Sequence, residues 1–296
     1  MSEEHFIIAV YCFVEELFKE ITKGSRLRSR GATPSLKDEE VVTMLIVGEF
    51  LGLGSDKKIW SYFKTHYYDW FPGLGSRTSF VRQGANLVSV MNLMQIELSK
   101  QLTTNKDLYL FDGFPIPVCH IKRYKRSSPF RGTGAVGYCA SKDEKYFGFK
   151  GHLLVSVEGV TKGFCFSPAN VDERDMLPNV VGNLSGDIIA DKGLIRPELK
   201  ENLSKQGMNL HTPLRKNMNE SRPKQFIRQI MNIRRKVETV IGQLVDRFQI
   251  QKIRAKDHWH LMAKIGRKIL AHSMCFLINR SINTDKPLKL EALIMN

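Results

Sequence analysis

Near residue 107 the spacing of apolar residues changes, and few architectures accommodate that change. Before it, apolar side chains recur at three and four, as in Phe6, Val10, Phe13, Val14 and Phe18, and again in Val41, Met44, Leu45, Val47 and Phe50. That is the period of helices that bury one face. After it come short β-rich segments at 108–111, 148–157, 163–167 and 187–190, and a last one at 208–213. Helical patterns at 170–184 and 197–205 separate the later strands. The order strand, strand, strand, helix, strand, helix, strand, helix predicts an α/β chain with a mixed sheet flanked by helices, preceded by an all-helical N-terminal domain. The expected boundaries are 1–104 for the helical part, 105–256 for the α/β part and 257–296 for a C-terminal helix packed on that core.

Within the helical part, Ser35 followed by Asp38 and Glu39 predicts a helix start, and Gly52 and Gly54 its end. A second helix is expected around 58–67, a turn at Phe71-Pro72-Gly73, and a third long helix over 79–98. The stretch 119–137 reads as irregular.

Charge divides the chain in the same way. The formal net charge is +15, yet the first hundred residues carry 12 basic and 12 acidic side chains, so the whole excess lies beyond them. Such an excess answers a polyanion. Lys122, Arg123, Lys125, Arg126 and Arg131 fall in the irregular stretch without an acid, and between Arg222 and Lys256 ten basic residues face only Glu238 and Asp246. Lys23, Arg26, Arg28 and Arg30 form a local basic patch within the neutral part. Five widely spaced cysteines, with no Cys-x-x-Cys pair, predict a reducing cytoplasm. The apolar run at 6–14 is flanked by acids and is not read as a secretion signal, and the run at 41–53 is interrupted by Glu49, so no membrane segment is expected.

Three carboxylates stand out by placement. Asp112 follows the apolar segment 108–111, and Asp191 follows Ile188-Ile189-Ala190. Parallel neighbouring strands would bring two such ends together. Asp187 is an alternative to Asp191, on the same face by two-residue alternation, but it opens its strand. Glu238 lies on a basic helix whose apolar seam is Ile230, Ile233, Val237, Ile241, Leu244 and Phe248, one turn after Arg234. Asp, Asp and Glu from three elements offer hard oxygen ligands for Mg²⁺ or Mn²⁺, and two such ions suit phosphodiester displacement. A metal-dependent nuclease and a non-catalytic DNA-binding protein both remain open on these residues. His120, His152, His211, His258 and His260 read as structural or DNA-contacting, and Lys150 and Lys216 as phosphate contacts.

Six blocks, taken in order, resemble a known family. They are Asp112-Gly113-Phe114-Pro115-Ile116-Pro117-Val118-Cys119, Gly148-Phe149-Lys150-Gly151-His152, Pro168-Ala169-Asn170-Val171, Ala190-Asp191-Lys192-Gly193, Thr212-Pro213-Leu214-Arg215-Lys216-Asn217 and Arg234-Arg235-Lys236-Val237-Glu238. Together they resemble the DDE transposases of bacterial insertion sequences, most closely the insertion-sequence 982 family. The resemblance implies a ribonuclease-H-like catalytic core that cuts DNA at terminal inverted repeats and joins the freed 3′ hydroxyl to target DNA. It implies Asp112, Asp191 and Glu238 as the metal-binding catalytic triad, with Mg²⁺ or Mn²⁺ in a pair. Double-stranded DNA is the implied partner, bound by a homodimer. Lys122, Arg123, Lys125, Arg126, Arg131, Lys150, Lys192, Arg215, Lys216, Arg234, Arg235 and Lys236 are the expected DNA contacts. The chain departs from the family pattern at Gly113, where Ser is more common, at Gly151 and Leu194, and at Met231 and Val245, which stand in the Tyr and Lys places around Arg234 and Glu238.

Overall fold

The computed structural model describes residues 1–25, 27, 31–104, 107–140, 142–219, 221–282 and 285–294. Arg26, Arg28 and Arg30, three of the four cations of the N-terminal patch, lie outside the described residues. The chain clusters into two compact units. One combines residues 1–100, 244–254 and 258–296; the other combines 101–243 and 255–257.

The helical unit contains α1 (Glu3–Thr22), α2 (Asp38–Phe50), α3 (Asp56–His66), α4 (Arg77–Asn86), most of α5 (Val88–Leu102) and the C-terminal helix, numbered α9 (His258–Ile282). Helix α2 is its centre, with every residue from Val41 to Phe50 buried. A helix apolar on all sides has no solvent face to present and so collects neighbours around its whole circumference. Ser35 does not cap it. The helix begins three residues past Ser35 with Lys37 at its cap position, where Glu40 accepts a hydrogen bond from the Lys37 backbone N–H at 2.7 Å, while the Ser35 hydroxyl donates to the Gly73 carbonyl. The third long helix expected over 79–98 is two helices. Ser76 caps α4, and the chain breaks at Leu87 after Gly84 and Asn86, both poor helix formers.

The C-terminal helix packs within this unit, against α2 and α1, where the sequence predicts packing on the α/β core. Two buried cations explain the difference. Arg267 donates to Glu49 Oε1 at 2.6 Å and to Asp56 Oδ1 at 2.7 Å, and the Lys268 ammonium also pairs with Glu49. Glu49 is 2% exposed, so its carboxylate requires cations that the rest of α2 does not supply.

The second unit is built on a six-stranded mixed sheet: β1 (Leu108–His120), β2 (Ala135–Cys139), β3 (Glu144–Ser156), β4 (Thr161–Pro168), β5 (Gly186–Ile189) and β6 (Met208–His211). β1 to β4 pair antiparallel through β3, whereas β1, β5 and β6 run parallel. Helices α6 (Glu173–Val181) and α7 (Pro197–Lys205) bury Leu177, Val180, Val181, Leu199 and Leu203 against Tyr109 and Phe111 on one face. Helix α8 (Lys224–Asp246) approaches the opposite face, where Leu110 and Asp112 point by alternation. The expected α/β architecture is therefore present: a mixed sheet, flanking helices and a preceding helical part.

Two strands differ from the sequence reading. β1 does not end at Phe111 but continues to His120, because β3 pairs with it throughout while β5 stops at Ile189. Pro115 and Pro117 lack donors, and they are tolerated where β1 has lost its parallel partner and one edge needs no ladder bond. Part of the irregular stretch is ordered. Ile121–Arg126 form a 3-10 helix and Ala135–Cys139 form β2, whose five residues, broken by Gly137, are too short a pattern to announce a strand.

The buried charge cluster yields the first prediction. Glu49→Gln leaves Arg267 and Lys268 undercompensated, and urea unfolding should register a loss of about 3–5 kcal/mol. A loss within ~0.5 kcal/mol, the size of an ordinary surface substitution, would show that the pairing does not hold the C-terminal helix in place.

Candidate active site

The register of β1 against β5 is the foundation of the site. Leu108, Tyr109 and Leu110 pair in parallel with Asp187, Ile188 and Ile189. The same offset carried two residues further sets Asp112 beside Asp191, just past the end of β5. Asp191 then opens the short 3-10 turn Lys192–Leu194. The third acid comes from α8, whose buried residues include Ile230, Val237 and Val240. Arg234 and Glu238 lie one turn apart on it.

These elements converge on a guanidinium. Arg234 Nη2 lies 3.8 Å from Asp112 Oδ2, 3.9 Å from Asp191 Oδ1 and 3.1 Å from Glu238 Oε1. The side chain is only 16% exposed and its Nε is buried without a hydrogen-bond partner. The sequence reading assigns Arg234 to DNA; the structure turns it inward among the three acids instead. Asp187, the alternative second acid, points elsewhere and pairs with His211 on β6 at 2.9 Å.

The three carboxylates differ in environment. Burial pushes the Asp112 carboxyl up to about 6, against the Gly113 backbone N–H and Arg234, which favour the charged form, and with Glu173 and Asp191 adding repulsion. Asp191 and Glu238 are about half exposed. Among the described residues, no three His, Cys, Asp or Glu side chains stand close enough to share one metal ion. The acids are gathered around a cation rather than around a gap.

Glu173 was not singled out by the sequence. It follows the Asp172 cap of α6, and its Oε1 would lie 2.8 Å from a Cβ at position 113. Gly113 therefore admits it beside Asp112. Only the departure to Gly at 113 hinted at that space. Lys150 on β3 pairs with Glu173 at 3.4 Å and reaches the Val171 carbonyl, so the acid has a fixed counterion at the rim.

Of the other expected DNA contacts, Lys122, Arg123, Lys125, Arg126, Arg131, Lys192, Arg215, Lys216 and Arg235 are exposed. Lys236 is exposed but donates to the Val157 carbonyl at 2.7 Å. His152 is structural: it is buried, bonded to Ser167 at 2.9 Å and stacked on Phe111, and burial lowers its pKa to about 4.

The comparisons bear on what such a site is for. Residues 102–258, just over half of the chain, match the family model described as Transposase DDE domain. That span contains all three acids and Arg234. No curated protein matches the chain. Among solved structures, the chain is similar to a piggyBac transposase seen by cryo-electron microscopy in a synaptic complex with hairpin DNA. The identity is 12%, the TM-score 0.49, and the match covers 95% of this chain and 75% of that one.

The raised Asp112 pKa predicts a stability change. The folded protein holds this proton up to about pH 6, the unfolded chain only to about 3.8. Folding is thus penalised above pH 6, and the penalty fades as pH falls through this window and is gone below 3.8. In EDTA at pH 7.5, Asp112→Asn should stabilise the protein by about 3 kcal/mol, and the gain should vanish near pH 3.5 in thermal melts. An equal effect at both pH values would contradict the buried, repelled carboxyl.

Proposed function

The chain belongs to the DDE transposase family, and from that we propose that it binds the terminal inverted repeats of an insertion sequence and catalyses cleavage and strand transfer there. The observation that carries the reading is the convergence of Asp112, Asp191 and Glu238, from three separate elements, on the single guanidinium of Arg234. Like charges gathered around a partly buried carboxylate call for a cation to compensate them, and such assemblies mark functional sites more than structural ones.

The chemistry of this family depends on divalent metal ions. By its chemistry the donor set suits one once Arg234 gives way: three carboxylates are hard oxygen ligands, and Asp112, buried and repelled by Glu173 and Asp191, would gain most from the ion's charge. We assign Asp112, Asp191 and Glu238 to holding Mg²⁺ or Mn²⁺, in a pair. When bound, the metal would lower the pKa of water and stabilise a leaving oxygen.

The chain's own residues do the rest. Arg234 balances the carboxylates in the resting site, keeping them together instead of letting repulsion open the strand ends. Lys150 and Lys192 flank the acids, on β3 and immediately after Asp191, where they can orient a phosphate group. Arg215, Lys216 and Arg235, all exposed, extend the positive surface, and the +15 net charge draws a duplex toward the chain. Recognition of the repeats is assigned to the helical part at 1–104, and joining two ends requires a homodimer on DNA. The cytoplasm is the compartment in which such a protein meets its DNA, and no helix among the described residues is long and apolar enough to cross a membrane. The finer placement in the insertion-sequence 982 family rests on the six sequence blocks.

The test is a labelled duplex carrying the terminal repeat and its flank, incubated with Mg²⁺ or Mn²⁺. Asp112→Asn, Asp191→Asn and Glu238→Gln should each bind the duplex as the parent does yet lose cleavage and joining by roughly 10²–10³-fold or more. Normal cutting by all three variants would remove the triad. Cutting without joined products would make the protein a nuclease.

A further inference from the structure

One surface of the α/β unit is not used by the reading above. In the β2–β3 hairpin, Val136 pairs with Phe147 and Tyr138 with Lys145, so these four side chains share a face. The other face is closed: a Cβ at Gly137 would meet Ala169 at 2.7 Å. On the shared face Phe147 is covered by the Tyr124 ring, with centroids 5.7 Å apart, and Tyr124 belongs to the 3-10 helix Ile121–Arg126. That helix turns Tyr124 inward and leaves Lys122, Arg123, Lys125 and Arg126 exposed. Beside it Val136 is 39% and Tyr138 55% exposed. The tyrosine does not wave freely, since its hydroxyl donates to Asp143 Oδ1 at 2.5 Å across the hairpin turn.

We propose that this face, with Tyr138 as a stacking platform and Lys122, Arg123, Lys125, Arg126 and Lys145 as phosphate contacts, binds an unpaired DNA strand. The inference rests on the DNA reading above and adds the form of DNA. Cations alone hold duplex and single strand alike. An exposed aromatic ring pinned among them selects the single strand, because the face of a base is free to stack only when the base has left its own stack. Asp143 and Glu144 lie at the hairpin turn, and Asp143 is engaged by the tyrosine hydroxyl, so the cations dominate the side that the 3-10 helix occupies. From Asp112 to His120, where β1 delivers the chain to this helix, is roughly 26 Å of strand, which corresponds to ~8 nucleotides at duplex rise. The platform therefore holds DNA about that far from the carboxylates, as would be needed to keep an opened strand apart from its partner.

The experiment uses the full chain at low salt, with fluorescence anisotropy on a blunt duplex of about 30 base pairs and on the same duplex with a tail of about ten unpaired thymines. The tailed probe should bind more tightly. Tyr138→Ala should weaken tailed binding by ~5-fold or more and leave blunt binding unchanged, while Tyr138→Phe, which keeps the ring and loses the bond to Asp143, should retain most of the preference. Circular dichroism melts of both variants check that the hairpin still folds. If Tyr138→Ala binds both probes like the parent, or if Tyr138→Phe loses as much as Tyr138→Ala, the platform is wrong while DNA binding stands. If neither probe binds the parent chain, the DNA reading falls with it.

Discussion

Three carboxylates facing one point repel one another, and in this chain the positive charge of Arg234 is what allows them to stay together. The rest of the α/β unit can be understood as the means of holding that arrangement. The parallel register of β1 and β5 fixes two of the acids side by side. The buried seam of α8, through Val237 and Val240, fixes the third acid and the arginine on one side of the helix. Any slip of one residue in the strand register would move Asp112 to the opposite face, so the hydrophobic cluster of Tyr109, Phe111, Ile188 and Ala190 specifies the site as well as the fold. The cost of this geometry is visible in Asp112, whose carboxyl is pushed up to about 6 first by burial.

Much of this was legible in the sequence, for definite physical reasons. The change of apolar period near residue 107 separates helices from strands because the two structures place side chains at different intervals. The carboxylates Asp112 and Asp191 could be noticed because an acid directly after an apolar strand is unusual. What could not be read was anything that depends on pairing partners. Asp112 stands mid-strand because β3 outruns β5, and nothing in residues 112–120, with two prolines, says so. β2 exists only because β3 offers it an edge. Glu173 occupies the space a side chain at 113 would fill and repels Asp112, a coupling between residues far apart in sequence that no local pattern encodes. Arg234, surrounded in sequence by Arg235 and Lys236, looked like one cation of a DNA-binding row, and only the rotation of α8 distinguishes it.

The helical unit shows the same principle applied to stability. Glu49 is buried on the most apolar helix of the chain, and Arg267 and Lys268 on the C-terminal helix answer it. A buried ion pair contributes little net energy compared with an apolar core, but it is unforgiving about partners. It therefore accounts for why the last helix belongs with the first ones and not with the α/β unit that precedes it in sequence.

In the function proposed, Arg234 holds the three carboxylates together until a metal ion takes part of its place. Anomalous diffraction from crystals grown with Mn²⁺ tests it most directly. An anomalous peak bounded by Asp112, Asp191 and Glu238 is expected, with the Arg234 guanidinium displaced from their midst. Mn²⁺ bound elsewhere, or none at millimolar concentration with Arg234 still paired to all three acids, would contradict it.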